Sequence, residues 1–128
     1  MKKTLKNILV LGAKSDIATA TARLYAEQSC ALTLAARETD SLEKIKEDLL
    51  IRGAINVDLL EVNLESVKSI KSFLKNLDPL PDLVLCAVGY LGEQSRTEKD
   101  FKEMERVIKA NLTGPAMIFE TLAQSMME

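Results

Sequence analysis

The first residues that could do chemistry lie close to the start of the chain, in Gly12-Ala13-Lys14-Ser15-Asp16-Ile17-Ala18, directly after the apolar run Asn7-Ile8-Leu9-Val10-Leu11. A glycine at such a turn lets the backbone approach a ligand closely. The N–H groups that open a helix there point at an anion, helped by the helix dipole. An ordinary strand-to-helix turn with a capping side chain accounts for the same residues. Asp16 is readable either as that cap or as a carboxylate beside the bound anion, with Lys14 offsetting its charge. Arg37 closes a second apolar run, where its guanidinium could grip a phosphate through two hydrogen bonds. A solvated arginine at the head of the next helix is the alternative. Glu61 and Val62 end a third run, Ala87 and Gly89 a fourth, and Asn111 stands in a later helical stretch. The chain has no histidine. That removes Ser-His-Asp and Cys-His schemes together with the commonest metal ligand, and no metal site is expected.

The elements that must position these residues alternate along the chain. Short apolar runs read as buried strands at Asn7–Gly12, Ala31–Ala36, Asn56–Val62 and Leu83–Val88. Between them lie helical periods. The first covers Asp16–Gln28, with Ile17, Ala20, Leu24 and Tyr25 at helical spacing. The second covers Thr39–Arg52, with Asp40 or Ser41 placed to cap it and Gly53 placed to end it. The third covers Glu65–Leu77, with Val67, Ile70, Phe73, Leu74 and Leu77 on one face. Pro79 and Pro81 break the chain, a polar loop follows over Tyr90–Thr97, and Asp100–Met126 is mostly helical with Pro115 as a kink. Continuous apolar strands imply burial on both faces, and strand–helix repeats imply right-handed crossovers, so a parallel sheet covered by helices is expected.

Composition narrows the function. With 128 residues, 47% apolar and 28% charged, the sequence suits one globular α/β domain over 1–128. A net charge of -2 gives no footprint for nucleic acid or a membrane surface. The early apolar run is short and is followed by Lys14 and Asp16, unlike a leader, and no stretch approaches the ~20 apolar residues of a membrane span. Cys30 and Cys86 sit in apolar runs and read as buried thiols, and the expected location is cytoplasmic.

Taken in order, the motifs resemble those of the short-chain dehydrogenases/reductases. Gly12-x-x-x-Asp16-Ile17-Ala18 is similar to that family's Gly-x-x-x-Gly-Ile-Gly turn, with Asp16 and Ala18 in place of two glycines. Glu61-Val62-Asn63 resembles its Asp-Val-Thr, Cys86-Ala87-Val88-Gly89 its Asn-Asn-Ala-Gly, and Val107–Gly114 the helix that carries its Asn, here Asn111. The resemblance implies a Rossmann-like doubly wound sheet in the order 3-2-1-4 and a nicotinamide dinucleotide as partner. It places Gly12, Lys14, Ser15, Asp16 and Ile17 at the pyrophosphate and Arg37 at the ribose of the adenosine half. Glu61 and Val62 would then meet the adenine, and Ala87 and Gly89 the adenosine ribose and pyrophosphate side. Val62 and Val88 read equally well as core. An acidic residue in Arg37's place would favour NAD; arginine favours NADP.

The same resemblance implies a catalytic set of a Ser, a Tyr-x-x-x-Lys pair and an Asn for proton transfer, of which only the Asn has a counterpart, Asn111. Tyr25 is followed four residues on by Ser29 and Tyr90 by Gln94, so neither forms the Tyr-x-x-x-Lys pair. The Tyr and Lys would follow Glu128, and the chain alone is expected to bind nucleotide without transferring hydride. A regulatory or assembly module on the same fold, or one half of a split enzyme, is the alternative. An apolar fourth-strand edge and the Met-rich last helix predict a homo-oligomer, most simply a two-fold dimer.

Overall fold

The computed structural model of the chain describes residues 4–90, 95 and 98–128. The loop expected over Tyr90–Thr97 therefore falls mostly outside the described residues. Strands β1 (Asn7–Leu11), β2 (Ala31–Ala36), β3 (Asn56–Glu61) and β4 (Leu83–Cys86) form one parallel sheet in the order β3-β2-β1-β4. Among the described residues, helices α1 (Asp16–Glu27), α2 (Glu43–Arg52), α3 (Val67–Asn76), α4 (Phe101–Ile108) and α5 (Gly114–Met127) accompany the sheet. It is the Rossmann-like arrangement expected from the sequence.

Alternation along β1 divides the core. Ile8 and Val10 join Leu32, Leu34, Val57 and Leu49 on the face covered by α1 and α2. Leu9 and Leu11 join Ala35, Ile70, Phe73, Ile118 and Leu122 on the face covered by α3 and α5. A strand whose successive side chains enter two cores must be apolar throughout, which is why β1 and β2 lack a polar face. β3 is different. It is an outer strand: Asn56, Asp58 and Glu61 are exposed, Val57 is buried, and Leu59 and Leu60 are half-buried against the two cores.

Several local expectations are corrected. Ile17 and Leu24 do not face the core; Ala18, Ala22 and Ala26 do. A helix that leaves a tight turn must lie close to the sheet, and alanines at i, i+4 and i+8 permit that approach better than larger side chains. Ser15, not Asp16, caps α1: its backbone is extended and its hydroxyl oxygen accepts from the Ala18 N–H at 3.1 Å. Asp16 is the first helical residue, where its carboxylate still favours the positive end of the helix dipole. Neither Asp40 nor Ser41 caps α2. A 3₁₀ turn over Asp40–Leu42 precedes it, and the Ser41 hydroxyl donates backward to the Glu38 carbonyl at 3.2 Å. The third helix starts two residues later than expected, behind Ser66, whose hydroxyl accepts from the Ser69 N–H. Pro115 makes no kink: it sits in the first turn of α5, where its missing N–H leaves no bond unmade. The irregularity comes earlier, as a π-helical turn over Lys109–Thr113.

Cys30 is buried on the α1 side, where its thiol donates to the Leu5 carbonyl at 3.4 Å, while Cys86 is half-buried and packs on the other face. Burial pushes the Cys30 thiol up from its ordinary value, so it stays protonated and inert. No helix among the described residues is long and apolar enough to cross a membrane.

Candidate functional site

The carboxyl ends of the four strands surround one cleft of about 400 Å³. Its floor is the β1 turn. The Gly12 and Ala13 N–H groups both donate to the Ala35 carbonyl, at 3.1 and 3.3 Å, and the Ala87 N–H donates to Leu11 at 2.9 Å. These bonds draw the ends of β2 and β4 in on either side of the turn. Gly12 adopts φ 75°, a left-handed conformation that glycine takes without strain. A Cβ placed there would lie 2.7 Å from the Ala87 carbonyl carbon. The glycine is thus required twice, by its dihedral and by the neighbouring strand.

The cleft is lined by Gly12, Lys14, Ser15, Arg37, Val62, Ala87 and Gly89, all singled out from the sequence. Asp16, Ile17, Glu61 and Asn111 are not among its lining. Asp16 and Ile17 are exposed on the outer side of the helix start, and Glu61 is exposed at a separate depression with Ser66 and Lys68. The strand's alternation explains the last placement. Glu61 and Val62 point to opposite faces, so only Val62 turns inward, anchored by its N–H to the Ala36 carbonyl at 3.0 Å. Asn111 acts one step away. Its carboxamide accepts from the Tyr90 N–H at 2.7 Å and donates to the Tyr90 carbonyl at 2.6 Å. That pairing ties the π-helical turn to the backbone just past β4.

Sequence reasoning missed a polar chain along one side of the cleft. Asn63, Leu64 and Glu65 line it, as do Tyr90 and Ala110. The Glu65 carboxylate lies 2.8 Å from Arg106 Nε and 3.4 Å from an Arg37 terminal nitrogen. Arg106 in turn stacks over the Tyr90 ring, 4.7 Å from its centroid, and the Tyr90 hydroxyl donates to Glu103 at 2.6 Å. The chain Arg37–Glu65–Arg106–Tyr90–Glu103 thus links the ends of β2, β3 and β4 to α4. The hydrogen bond to Glu103, with burial second, raises the Tyr90 phenol above its ordinary value. A phenol so held stays protonated at neutral pH and is a poor candidate for proton transfer. Of these residues the sequence had singled out Arg37 as a ligand contact, and the spacing of Glu65, Glu103 and Arg106 gives no sign that the fold joins them to it.

Comparison with known proteins agrees with the geometry. A family model described as short chain dehydrogenase matches residues 6–128. The chain belongs to the short-chain dehydrogenase family. A glycine betaine reductase of Emericella nidulans is 32% identical over 114 residues, covering 85% of this chain and 9% of its own length. An uncharacterized oxidoreductase of Thermotoga maritima is 25% identical, covering 96% of this chain and 49% of its own. Among solved structures, an alcohol dehydrogenase from Thermococcus sibiricus complexed with 5-hydroxy-NADP superposes with a TM-score of 0.79 at 27% identity. That match takes in 96% of this chain and 54% of the other. This short-chain dehydrogenase sequence therefore spans about half the length, or less, of the relatives it matches.

Proposed function

We propose that this sequence forms the dinucleotide-binding part of a short-chain dehydrogenase-type oxidoreductase, and that it takes NADP ahead of NAD. The observation that carries the reading is the joint position of Gly12, Lys14, Ser15 and Arg37 around one cleft at the carboxyl ends of the strands. Gly12 lets the turn close tightly against the backbone after β4, which leaves the N–H groups at the start of α1 facing the cleft, as suits a pyrophosphate. Lys14 and Ser15 would hold that pyrophosphate, Arg37 the 2′-phosphate, and Val62 and Ala87 the apolar sides of the adenosine. The cofactor, when bound, supplies or accepts hydride. The residues described here orient it and exclude water from its adenosine half. Asn111 positions the backbone beyond β4, and no Tyr-x-x-x-Lys occurs in the sequence. Proton transfer at a substrate would need groups beyond those in this sequence. A nicotinamide dinucleotide is also the ligand class of the Thermococcus sibiricus relative.

The test is differential binding. Arg37→Ala should weaken NADP by about tenfold, as loss of one charge-assisted contact implies, and move NAD by less than about twofold. Calorimetric titration of both cofactors reads this directly. Equal losses for the two would sink the assignment of Arg37, and binding of neither by the parent chain would favour the assembly-module alternative.

Self-association belongs to the same reading. Phe119, Met117, Leu112 and Ile108 remain exposed on the last two helices and the π-helical turn between them, and no strand among the described residues covers the outer edge of β4. Such apolar surface seats another chain. Sedimentation at micromolar concentration should return more than the mass of one chain; a single-chain mass counts against it.

A further inference from the structure

We infer that Glu65 sets the cofactor preference jointly with Arg37, as an internal anion that Arg37 must release before it can take a 2′-phosphate. The inference rests on the reading of Arg37 given above and adds a second residue to it. Glu65 makes two contacts of different quality. The contact with Arg106 is short, 2.8 Å, whereas the contact with Arg37 is longer, 3.4 Å. The Glu65 side chain is 20% exposed, and that of Arg37 is 56% exposed. The carboxylate is therefore the fixed partner and the Arg37 guanidinium the movable one.

Its fixation has visible causes. The Glu65 N–H donates to Asn63 Oδ1 at 3.0 Å, and the Asn63 N–H donates to the Ser69 hydroxyl at 2.8 Å, which shapes the turn after β3. Arg106, the stronger partner, is itself seated on the Tyr90 ring. A phosphate arriving at Arg37 would compete with this carboxylate for the same donors. It would also stand next to a like charge in a partly enclosed cleft, where screening is reduced. A ribose carrying only hydroxyls makes neither demand and can donate to the carboxylate. Glu65 thus biases the cleft against 2′-phosphate, and Arg106 limits that bias by holding Glu65 toward α4.

The two residues should therefore act in opposite directions. Calorimetric titration of the full chain with NADP and NAD, and with adenosine 2′,5′-bisphosphate and ADP as smaller probes, reads the effect. Glu65→Gln should raise the NADP-to-NAD affinity ratio by about fivefold, mainly by tightening NADP, in keeping with a partly exposed pair. Arg106→Gln should lower the ratio by a similar factor, because Glu65 then turns wholly to Arg37. The Glu65→Gln effect should shrink in an Arg37→Ala background to the part that comes from like-charge repulsion alone. A structural role alone would weaken both dinucleotides together in both variants, and that result overturns the inference. If Arg37→Ala abolishes the preference while Glu65→Gln leaves the ratio unchanged, the inference fails and the reading of Arg37 stands. If Arg37→Ala leaves the ratio unchanged, or the parent chain binds no probe, both fail.

Discussion

Gly12→Ala should destabilise the domain by about 3 kcal/mol and abolish nucleotide binding. Two independent effects add. An L-residue in the left-handed region costs roughly 1–2 kcal/mol, and φ at Gly12 is 75°. The new Cβ would also sit 2.7 Å from the Ala87 carbonyl carbon and oxygen and 2.9 Å from the Val88 nitrogen. These are backbone atoms at the end of β4, which is paired to β1 through Leu11↔Cys86, so they cannot move aside alone. Overpacking of this kind costs ~1–3 kcal/mol. Thermal unfolding should show a Tm lower by roughly 10 °C. A melting point within a degree or two of the parent would show that the turn is not held as described.

Gly114→Ala should also destabilise, by about 2 kcal/mol, although alanine is the better helix former. The two tendencies can be weighed. Alanine for glycine inside a helix gains roughly 0.5–1 kcal/mol. At Gly114, however, the added carbon would fall well inside contact distance of the Leu64 carbonyl oxygen, 2.8 Å from Leu64 Cβ and 2.9 Å from the Lys109 carbonyl oxygen. The collision involves backbone on two elements, so the upper part of the overpacking range applies and outweighs the propensity gain. Leu64 lines the cleft beside Glu65, so the displaced turn should weaken dinucleotide binding as well. Equilibrium unfolding by urea measures the first effect. An unchanged or raised midpoint would mean that α5 packs farther from the β3–α3 turn than described.

Much of the frame was legible because the central strands serve two cores. Ile8, Leu9, Val10 and Leu11 form an unbroken apolar run only because neighbours in the sequence enter opposite faces. The four-strand order followed from the family resemblance and was found as expected. What misled was local. Ile17 and Leu24 are more apolar than Ala18 and Ala22, so periodicity alone chose the wrong face of α1; the small residues face inward because the helix must lie against the sheet. Ser15 and Asp16 are both good caps, and only the extended backbone at Ser15 separates them. In the site, the glycine turn and Arg37 were readable because each directly follows a strand. The Glu65–Arg106 pair was not. Its members lie on opposite sides of β4 in the sequence, and nothing in either segment's spacing indicates that the fold brings them within 2.8 Å.

The sheet order has a kinetic side. β1 pairs with β2 across a register such as Asn7↔Ala31, but it pairs with β4 across Ile8↔Leu83. The Asp82 carboxylate closes that longer span, accepting from the N–H groups of Lys6 and Asn7, 76 and 75 residues away, at 2.9 and 3.0 Å. Loop-closure entropy grows with the logarithm of length, which makes this closure about 1 kcal/mol harder than the one joining β1 to β2. β3, β2 and β1 can zip in sequence through short crossovers, whereas β4 must be captured from a distance. On closure entropy alone, the wall of the cleft formed by Ala87, Val88 and Gly89 is the costliest part of the sheet to bring in. A ligand that bridges that wall and the Gly12 turn would act as a latch on that closure, slowing the departure of β4 more than it speeds the collapse of the rest.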